Sequence, residues 1–441
     1  MRSHCTPAIA ALANWLTPHV WKEAHQTHNR KQAASRWKLH PLLMVCALMT
    51  WVAGDSETER FVTARAFYVA CHQREKRPGQ SFQGFQQALA KLPLPVLHAL
   101  FAGVRQRLSQ LYQRFWHSND FVVMACDGSR LECPRSAELE KRLPCCSKKD
   151  SAPMLYVTAL VLLPAGLLWS WCVGPGTASE HEHLRQLVTT LPRCTLLVAD
   201  ANYLGYDLYR AILAAQADFL VRVSSRAYLY TEQYQRLKRY REGIVYYWPG
   251  PARKAGQPPL RLRLLRVRDR KEKHHVWLLT SVLDGKQLSR CQTAQIYRWR
   301  WKIEGMYRTY KRTLPKIKLW SRTEALVYRE AEVSLLALQL LLAQQLRERR
   351  SPEGVVLVCG SPRQMLLRLR GEITTTIGAE LGPRQQRWYR AQLEQVRCGG
   401  KHKKTRRKWP RRKDHRPPKP PKLRVMPKRL KAKMEQQLHA A

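Results

Sequence analysis

The spacing of apolar residues changes along the chain and marks out its predicted elements. Residues 1 to about 118 show the mixed apolar and polar spacing of helices. From Phe121 to Cys126 the pattern is a short apolar run of the strand type, which ends at Asp127-Gly128-Ser129. A second such run, Thr195 to Ala199, ends on Asp200. Helical spacing between and after these runs predicts an α/β domain with a mixed sheet.

A long uncharged stretch runs from Met154 to Val173, and its length alone would let it cross a bilayer. Its middle, however, carries the turn signal Pro164-Ala165-Gly166. Flanking β-branched and aromatic residues favour two buried strands joined by a tight turn. A membrane span is the alternative.

The two aspartates that follow the apolar strands are the first candidate functional residues. In open α/β sheets, sites lie beyond the carboxyl ends of the strands, so Asp127 and Asp200 can meet if their strands are neighbours. Each also has a structural interpretation. Asp127 can be a turn residue before Gly128, and Asp200 can cap the N-terminus of a helix.

The segment from Ala294 to about Leu314 predicts a helix with two unlike faces. At 100° per residue, one narrow polar face holds Tyr297, Arg300, Glu304, Tyr307, Arg308 and Lys311. The opposite face holds Ile296, Trp299, Ile303, Met306, Tyr310 and Leu314. A single carboxylate ringed by cations fits a phosphate-binding site. An exposed surface helix with an Arg300–Glu304 ion pair is the alternative.

Further segments are predicted from the same patterns. A helix from Glu324 to Arg350 carries a core-facing leucine stretch, and antiparallel strands fall within residues 244–280, where Arg261 and Arg263 supply a basic face. Ser179 and Glu182 form a capping box at the start of another helix, so Glu180-His181-Glu182-His183 is better explained by helix capping than by metal binding.

Charge narrows the class of partner. The 441 residues include 78 Lys and Arg against 32 Asp and Glu, a formal net charge of +46. This favours a polyanion, nucleic acid rather than a membrane surface. Residues 401–441 hold 17 of the basic residues against Asp414 and Glu435, and the proline-rich stretch Pro417-Pro418-Lys419-Pro420-Pro421-Lys422 within them predicts a largely disordered, sequence-independent electrostatic arm.

The twelve cysteines show no pair of C-x-x-C knuckles. Their nearest cluster is Cys126, Cys133, Cys145 and Cys146, for which buried thiols are favoured over zinc. The first sixteen residues contain no continuous apolar core of a secretory signal. We therefore expect a cytoplasmic, nucleoid-associated protein.

The helix carries a specific spacing, Tyr297-x-x-Arg300-x-x-x-Glu304-x-x-x-x-x-x-Lys311. It resembles the Y-R-E-K signature of bacterial insertion-sequence transposases of the DDE type, insertion sequence family four. The likeness extends to Cys126-Asp127-Gly128-Ser129 and to Asp200-Ala201-Asn202-Tyr203, over about residues 120–345. Asn202 departs from the Gly or Ala that is more frequent in the family.

The resemblance implies a role for each matched residue. Asp127, Asp200 and Glu304 would be catalytic and would bind two Mg²⁺ ions, for which Mn²⁺ can substitute. Tyr297, Arg300 and Lys311 would hold transposon-end phosphates, beside Arg308 on the same face. Trp301, which borders that face, would stack on an extruded base.

The resemblance also implies the architecture and the partners. The fold would be ribonuclease H-like, a mixed sheet flanked by helices with a β-rich insertion, and a homodimer would pair two terminal inverted repeats and act on target DNA. The expected regions are 1–118, helical and DNA-binding; 119–223 with 291–350, catalytic; 224–290, the insertion; 351–400, helical; and 401–441, the basic disordered tail.

Three other functions remain as alternatives to a transposase that cleaves element ends, by cut-and-paste, and transfers the strands. One is a ribonuclease H-like nuclease or resolvase that cuts without joining. Another is a catalytically decayed DNA-binding protein. The third is a membrane protein.

Overall fold

The computed structural model describes residues 12–27, 37–72, 76–118, 120–143, 152–240, 242–268, 275–351, 354–378 and 419–439. Its first part is helical, as predicted. The helices are α1 (Pro18–Gln26), α2 (Leu39–Trp51), α3 (Glu57–Cys71), α4 (Phe82–Ala90) and α5 (Leu94–Tyr112).

The N-terminal helices share one hydrophobic core with the rest of the protein. Helix α2 is apolar on all sides and almost wholly buried. It packs against α13 (Glu324–Gln344), and the Trp51 indole nitrogen donates to the Ala337 carbonyl oxygen at 3.1 Å. The helical region is therefore built onto the sheet-bearing part through α13.

The remaining elements alternate between strands and helices. In chain order they are β1 (His117–Ser118), β2 (Phe121–Glu132), α6 (Ala137–Arg142), β3 (Met154–Leu162), β4 (Leu167–Pro175), α7 (Glu180–Val188), β5 (Thr195–Ala199), α8 (Tyr206–Ala214), β6 (Asp218–Val223), β7 (Tyr228–Thr231), α9 (Tyr234–Tyr240), β8 (Glu242–Tyr247), α10 (Gly250–Lys254), β9 (Leu260–Arg268), β10 (His275–Thr280), α11 (Arg290–Trp299), α12 (Trp301–Arg308), α13, β11 (Leu346–Ser351), β12 (Gly354–Cys359), α14 (Pro362–Ile377), β13 (Lys422–Val425) and α15 (Lys428–His439).

Eleven strands form one mixed sheet in the order β13-β7-β8-β9-β10-β6-β5-β2-β3-β4, with the short β1 paired to β2. At its centre, β2 pairs in parallel with β5, and β5 pairs in parallel with β6. On the other side of β2, strands β3 and β4 continue antiparallel. Strands β7 to β10 extend the same sheet, since β10 pairs with β6.

The uncharged stretch is a hairpin, as predicted. Strands β3 and β4 pair antiparallel, and the turn between them places Gly166 at a φ of 63°, a left-handed conformation that glycine adopts without strain. No single helix in the described ranges is both long and apolar enough to cross a membrane. Only α4 and Leu94–Phe115 taken together reach that length, with an 86° bend between them.

Two predicted boundaries are wrong. Strand β2 does not end at Asp127 but continues to Glu132, because β3 keeps pairing with it as far as Met154. The long helix ends at Gln344 rather than Arg350, and the strands β11 (Leu346–Ser351) and β12 (Gly354–Cys359) that follow pair antiparallel. The region expected to be helical from residue 351 therefore begins with a strand.

The tail was expected to be disordered, and this is wrong for residues 419–439. Strand β13 pairs in parallel with β7, and α15 follows it. Edge strands offer unpaired backbone groups, and β13 satisfies those of β7. The side chains of Met426 and Met434 are buried, so the segment also contributes to the core. Residues 401–418 lie outside the described residues.

The prediction that Arg261 and Arg263 supply a basic face is wrong for Arg263. Arg263 is only 4% exposed, and its guanidinium pairs with Glu242 and donates to the Leu288 carbonyl oxygen at 2.7 Å. It is therefore a structural residue of the sheet.

Candidate active site

One predicted aspartate lies on strand β2 and the other directly follows the neighbouring strand β5. The parallel pairing of β2 and β5 runs from Val122 opposite Thr195 to Ala125 opposite Val198. Two residues further along, the same register brings Asp127 level with Asp200. The expected convergence of the two strands is therefore present, although β2 continues beyond it.

Each aspartate also makes the local contact that its structural interpretation predicts. Asp127 Oδ1 accepts from the Gly128 amide at 2.9 Å, and Asp200 Oδ1 accepts from the Asn202 amide at 2.8 Å and caps a short 3-10 turn. Because a carboxylate has two oxygen atoms, these contacts leave each side chain with further acceptor capacity. Turn formation and chemistry are compatible at both positions.

The helix that carries Glu304 is held directly against Asp127. The Tyr307 hydroxyl lies 3.0 Å from the main-chain oxygen atoms of Asp127 and of Val157 and donates to them. Tyr307 stands three residues after Glu304, on the same side of α12. This anchor brings Glu304 to the strand that bears Asp127.

The charges of the three predicted acids act on one another. The pKa of Asp127 is raised to about 6, chiefly by burial and to a smaller extent by the negative charges of Asp200 and Glu304. The Gly128 amide and the positive charge of Arg300 oppose this increase. The charges of Asp200 and Glu304 therefore act on Asp127 and are only partly compensated by Arg300.

The predicted continuous polar face is interrupted at Arg300, where α11 ends and α12 begins. There the hydrogen bonds shorten to a spacing of three residues, from the Arg300 amide to the Tyr297 carbonyl and from the Ile303 amide to the Arg300 carbonyl. Tyr297 is 7% exposed and Tyr307 6%, so both lie within the protein rather than on a solvated surface.

Arg300 lies among the acids. It is 9% exposed, its guanidinium lies 3.7 Å from Glu304, and its charge reaches Asp127. Among the described residues, its Nε atom is buried without a hydrogen-bond partner. Burial raises the pKa of Tyr297, the charge of Arg300 and a hydrogen bond with its side chain oppose this increase, and Asp200 adds to it. The site thus contains a guanidinium nitrogen that the chain itself does not satisfy.

The other predicted DNA-binding residues differ in accessibility. Trp301 is 50% exposed, and the Arg300 guanidinium lies 5.1 Å from its ring centroid. Arg308 is exposed. Lys311 is half-buried, and its Nζ atom donates to the Arg130 carbonyl oxygen at 2.7 Å. Trp301 and Arg308 can meet a ligand directly, whereas Lys311 is engaged with strand β2.

The acids have the right chemistry for a hard divalent ion, because carboxylate oxygens are the ligands that Mg²⁺ prefers. Within the part of the chain that the structure describes, no three His, Cys, Asp or Glu side chains are already grouped closely enough to hold a metal. The uncompensated charge around Asp127 still suits a cation. Cys126 and Cys133 are buried free thiols, and Cys145 and Cys146 lie outside the described residues.

Sequence reasoning set aside one acid near these residues, because helix capping explained the segment Glu180-His181-Glu182-His183 better than metal binding. Glu180, the first residue of α7, is half-buried, and burial followed by the charges of Asp200 and Asp127 raises its pKa. It also accepts a hydrogen bond from the Tyr156 hydroxyl. The capping signal at Ser179 concealed it, since an acid in the first turn of a helix needs no further explanation.

Comparison with known proteins assigns the sheet-bearing part of the chain to a family. Residues 119–340 match the family described as Transposase DDE domain. The chain is 24% identical over 275 residues to transposase InsG for insertion sequence element IS4 of Escherichia coli (strain K12). The aligned region covers 58% of this chain and 61% of the relative. The chain thus matches less than two thirds of the relative's length.

A solved structure is also similar in outline. The cryo-EM structure of the piggyBac transposase synaptic complex with hairpin DNA superposes with a TM-score of 0.44 at 10% identity, over 89% of this chain and 86% of that one. The family match over residues 119–340 defines the class, that of DDE-domain proteins. This chain belongs to the family described as Transposase DDE domain.

Proposed function

We propose that this protein is a DNA transposase that cleaves the ends of its element in the presence of Mg²⁺ and transfers the freed strands into target DNA by cut-and-paste. The observation that carries the proposal is the parallel pairing of β2, which bears Asp127, with β5, which Asp200 directly follows, together with the charges of Asp200 and Glu304 acting on Asp127. The order β4-β3-β2-β5-β6 around them supports a ribonuclease H-like core.

Asp127, Asp200 and Glu304 would hold the divalent ions. When bound, such ions activate an attacking oxygen and neutralise charge on the leaving oxygen of a phosphodiester. The half-buried position of Asp127 keeps bulk water from screening its charge, which strengthens its attraction for a cation. The main-chain bonds at Oδ1 of both aspartates restrict their side-chain rotamers.

The cationic and aromatic residues around the acids would position DNA. Arg300, with an unpartnered Nε among the described residues, is placed to donate to a phosphate beside the cleavage point. Arg308 is accessible for a second phosphate, and the half-exposed ring of Trp301 offers a face on which a base can stack. Lys311 would contact DNA only after it leaves the Arg130 carbonyl.

The partner would be double-stranded DNA. These cationic and aromatic side chains and the net charge of +46 both support it. Pairing of two element ends would require a homodimer. An association with the nucleoid in the cytoplasm stays a prediction.

The joining step separates a transposase from a nuclease. A labelled duplex with the terminal sequence that flanks this gene, ending in a pre-cut 3′ hydroxyl, is incubated with supercoiled plasmid and Mg²⁺. We expect the label to enter the plasmid with the wild type and with Asp207→Asn, whose side chain is exposed, but not with Asp200→Asn. Cleavage of uncut ends without joining would contradict the proposal in favour of a nuclease. DNA binding without any cleavage would indicate a decayed element.

A further inference from the structure

The face of the sheet at Asp200 can be followed across the strands that lie beyond β5. The pairing of β5 with β6 ends with Ala199 opposite Val221, so the next positions, Asp200 and Arg222, share a level and a face. The positions that lie opposite one another on the following strands are Arg222 of β6, Leu278 of β10, Leu265 of β9 and Glu242 of β8. Every second residue of β8 counted from Glu242 therefore lies on this face, which we call the aspartate face.

At the far edge of the sheet the aspartate face carries tyrosines and cations. Tyr246 of β8 lies on it, opposite Tyr230 of β7, and Tyr228 shares the face because it stands two residues before Tyr230. Strand β13 then places Lys422 opposite Tyr228 and Arg424 opposite Tyr230. Aromatic and cationic side chains thus lie together on the last three strands.

Tyr228 is the accessible aromatic residue of this group, with 45% of its surface exposed. Lys422 Nζ donates to its hydroxyl at 2.6 Å and lies 4.5 Å from its ring centroid. The Arg424 guanidinium lies 5.5 Å from the same centroid. Within the described ranges neither cation is paired with a carboxylate. An exposed ring is therefore held between two cations that can still bind an anion.

The attachment of β13 to the sheet does not require this arrangement. The strand is held by its parallel pairing with β7 and by Leu423, which packs against the core from between the two exposed cations. Charged residues on an edge strand also discourage aggregation. That role explains Lys422 and Arg424, but it does not explain the exposed ring of Tyr228 between them.

An exposed ring beside cations suits an unpaired nucleic-acid strand. Aromatic rings stack on unpaired bases of any sequence, and neighbouring cations bind the phosphates. The bases of a duplex are already paired and stacked on one another, so they cannot lie on such a ring. The exposed Arg261 adds a cation opposite Tyr246. The one acid at the end of the same row of β7, Glu232, is paired with Lys431 at 3.4 Å, which reduces its repulsion of phosphates.

The tyrosine lies within reach of a DNA strand that is bound at the acids. Strands β8, β9, β10 and β6 separate β7 from β5 in the sheet. At about 4.8 Å per strand the distance across the sheet is about 24 Å. At about 3.4 Å per nucleotide, this distance corresponds to about seven stacked nucleotides. A single strand that follows the aspartate face would therefore connect the two places.

We propose that Tyr228, between Lys422 and Arg424, is a binding site for an unpaired DNA strand that extends from Asp200 along the same face of the sheet. The inference rests on the proposed function, because strand cleavage at the acids would supply the unpaired strand.

The test is the fluorescence anisotropy of labelled DNA with the full chain in EDTA, so that binding is measured without cleavage. The probes are oligothymidine of about 16 nucleotides, the upper end of common site sizes, and an unrelated duplex. We expect Tyr228→Ala to raise the dissociation constant for oligothymidine at least about fivefold, as the loss of one stacked base does, and to leave that for the duplex unchanged. Tyr228→Phe, which retains the ring, should bind both probes as the wild type does.

Tyr240→Ala is the matched control. Tyr240 is 57% exposed and the Arg239 guanidinium lies 5.5 Å from its ring, but it stands on helix α9 rather than on the aspartate face. This variant should bind oligothymidine as the wild type does. Three results would overturn the inference: wild-type binding of oligothymidine by Tyr228→Ala, equal losses for both probes, or no binding of oligothymidine by the wild type.

Crosslinking replaces the substitution if Tyr228→Ala does not fold. Irradiation of the wild type with an oligothymidine that carries iodouracil should crosslink Tyr228, as mass spectrometry of the peptides would show. Crosslinks confined to other residues would overturn the inference. The joining assay decides the proposed function separately. Absence of joining together with Tyr228-dependent binding of oligothymidine would contradict the proposed function alone.

Discussion

At the scale of single residues, Asp127 is held in a state that opposes folding. Its carboxylate is half-buried beside other negative charges, and its pKa is raised from 3.8 to about 6. The folded protein therefore binds this proton more tightly than the unfolded chain does, so the ionised side chain lowers stability. Sites that await a cation commonly carry such a penalty.

Asp127→Asn should therefore stabilise the metal-free protein. At about pH 3 the aspartate is largely protonated in both states, so we expect little gain there. The gain should grow as the pH rises from there to about 6 and then stay constant, on the order of 1–3 kcal/mol given a pKa raised to about 6. Urea unfolding in EDTA at about pH 3 and about pH 8 measures it. The exposed Asp55→Asn is the control, and equal stability of Asp127→Asn and wild type at pH 8 would contradict the electrostatic interpretation.

At this scale the sequence predicted Asp127, Asp200 and Glu304 because each interrupts a clear pattern: two acids at the ends of apolar runs and one acid on a basic helical face. Glu180 could not be predicted in the same way. Its local context is that of an ordinary helix start, and only the packing of α7 against β3 brings it to the other acids.

At the scale of elements, a buried ion pair holds the segment after α12 to the long helix α13. Lys316 Nζ lies 2.7 Å from Glu330 Oε1, and the amides of Trp320 and Ser321 donate to Glu330 Oε2 at 3.0 and 2.9 Å. Burial opposes ionisation, but Lys316 and these hydrogen bonds lower the pKa of Glu330. The pair thus secures the chain that leaves the Glu304 helix.

Glu330→Gln should destabilise the protein by about 3–5 kcal/mol, because it leaves the Lys316 charge buried and unpaired. The exposed pair Arg114–Glu348 provides the comparison, since Glu348→Gln should change stability by less than about 1 kcal/mol. Chemical denaturation at pH 7 measures both variants. Similar small effects of the two substitutions would show that the Lys316–Glu330 pair does not have this role.

Several element boundaries could not be predicted because tertiary pairing determines them. Strand β2 passes through Asp127-Gly128-Ser129, a sequence typical of a turn, because β3 offers a partner along its whole length. Strand β13 follows a proline-rich segment and forms on the edge of β7, a partner about 190 residues earlier in the chain. The β3–β4 hairpin was predictable, since its turn and both strands are encoded locally.

At the scale of the whole molecule, basic charge is carried by a folded C-terminal unit as well as by the catalytic region. Helix α15 exposes Lys428, Arg429 and Lys433, while Lys431 pairs with Glu232 at 3.4 Å. The unit is attached to the far edge of the sheet, many strands away from β2. It is therefore suited to sequence-independent contact with DNA phosphates.

Replacing Lys428, Arg429 and Lys433 with Gln should weaken DNA binding and its dependence on salt. If all three contact phosphates, the slope of log K against log salt should decrease in magnitude by up to about 3, at roughly 0.9 per phosphate. Fluorescence anisotropy from 50 to 200 mM salt, with element-end and unrelated duplexes, measures this change. The preference for the element end should remain. An unchanged slope would exclude contact between DNA and this helix.

Glu304 provides the most direct test of the proposed transposase, because DNA binding and cleavage can be measured on the same variant. Glu304→Gln preserves the shape of the side chain, and we expect it to bind element-end DNA as the wild type does while Mg²⁺-dependent cleavage falls at least about a hundredfold. Glu140→Gln, in an exposed pair with Arg135, is the matched control and should cleave normally. Undiminished cleavage by Glu304→Gln would contradict the assignment of Asp127, Asp200 and Glu304 as the catalytic triad.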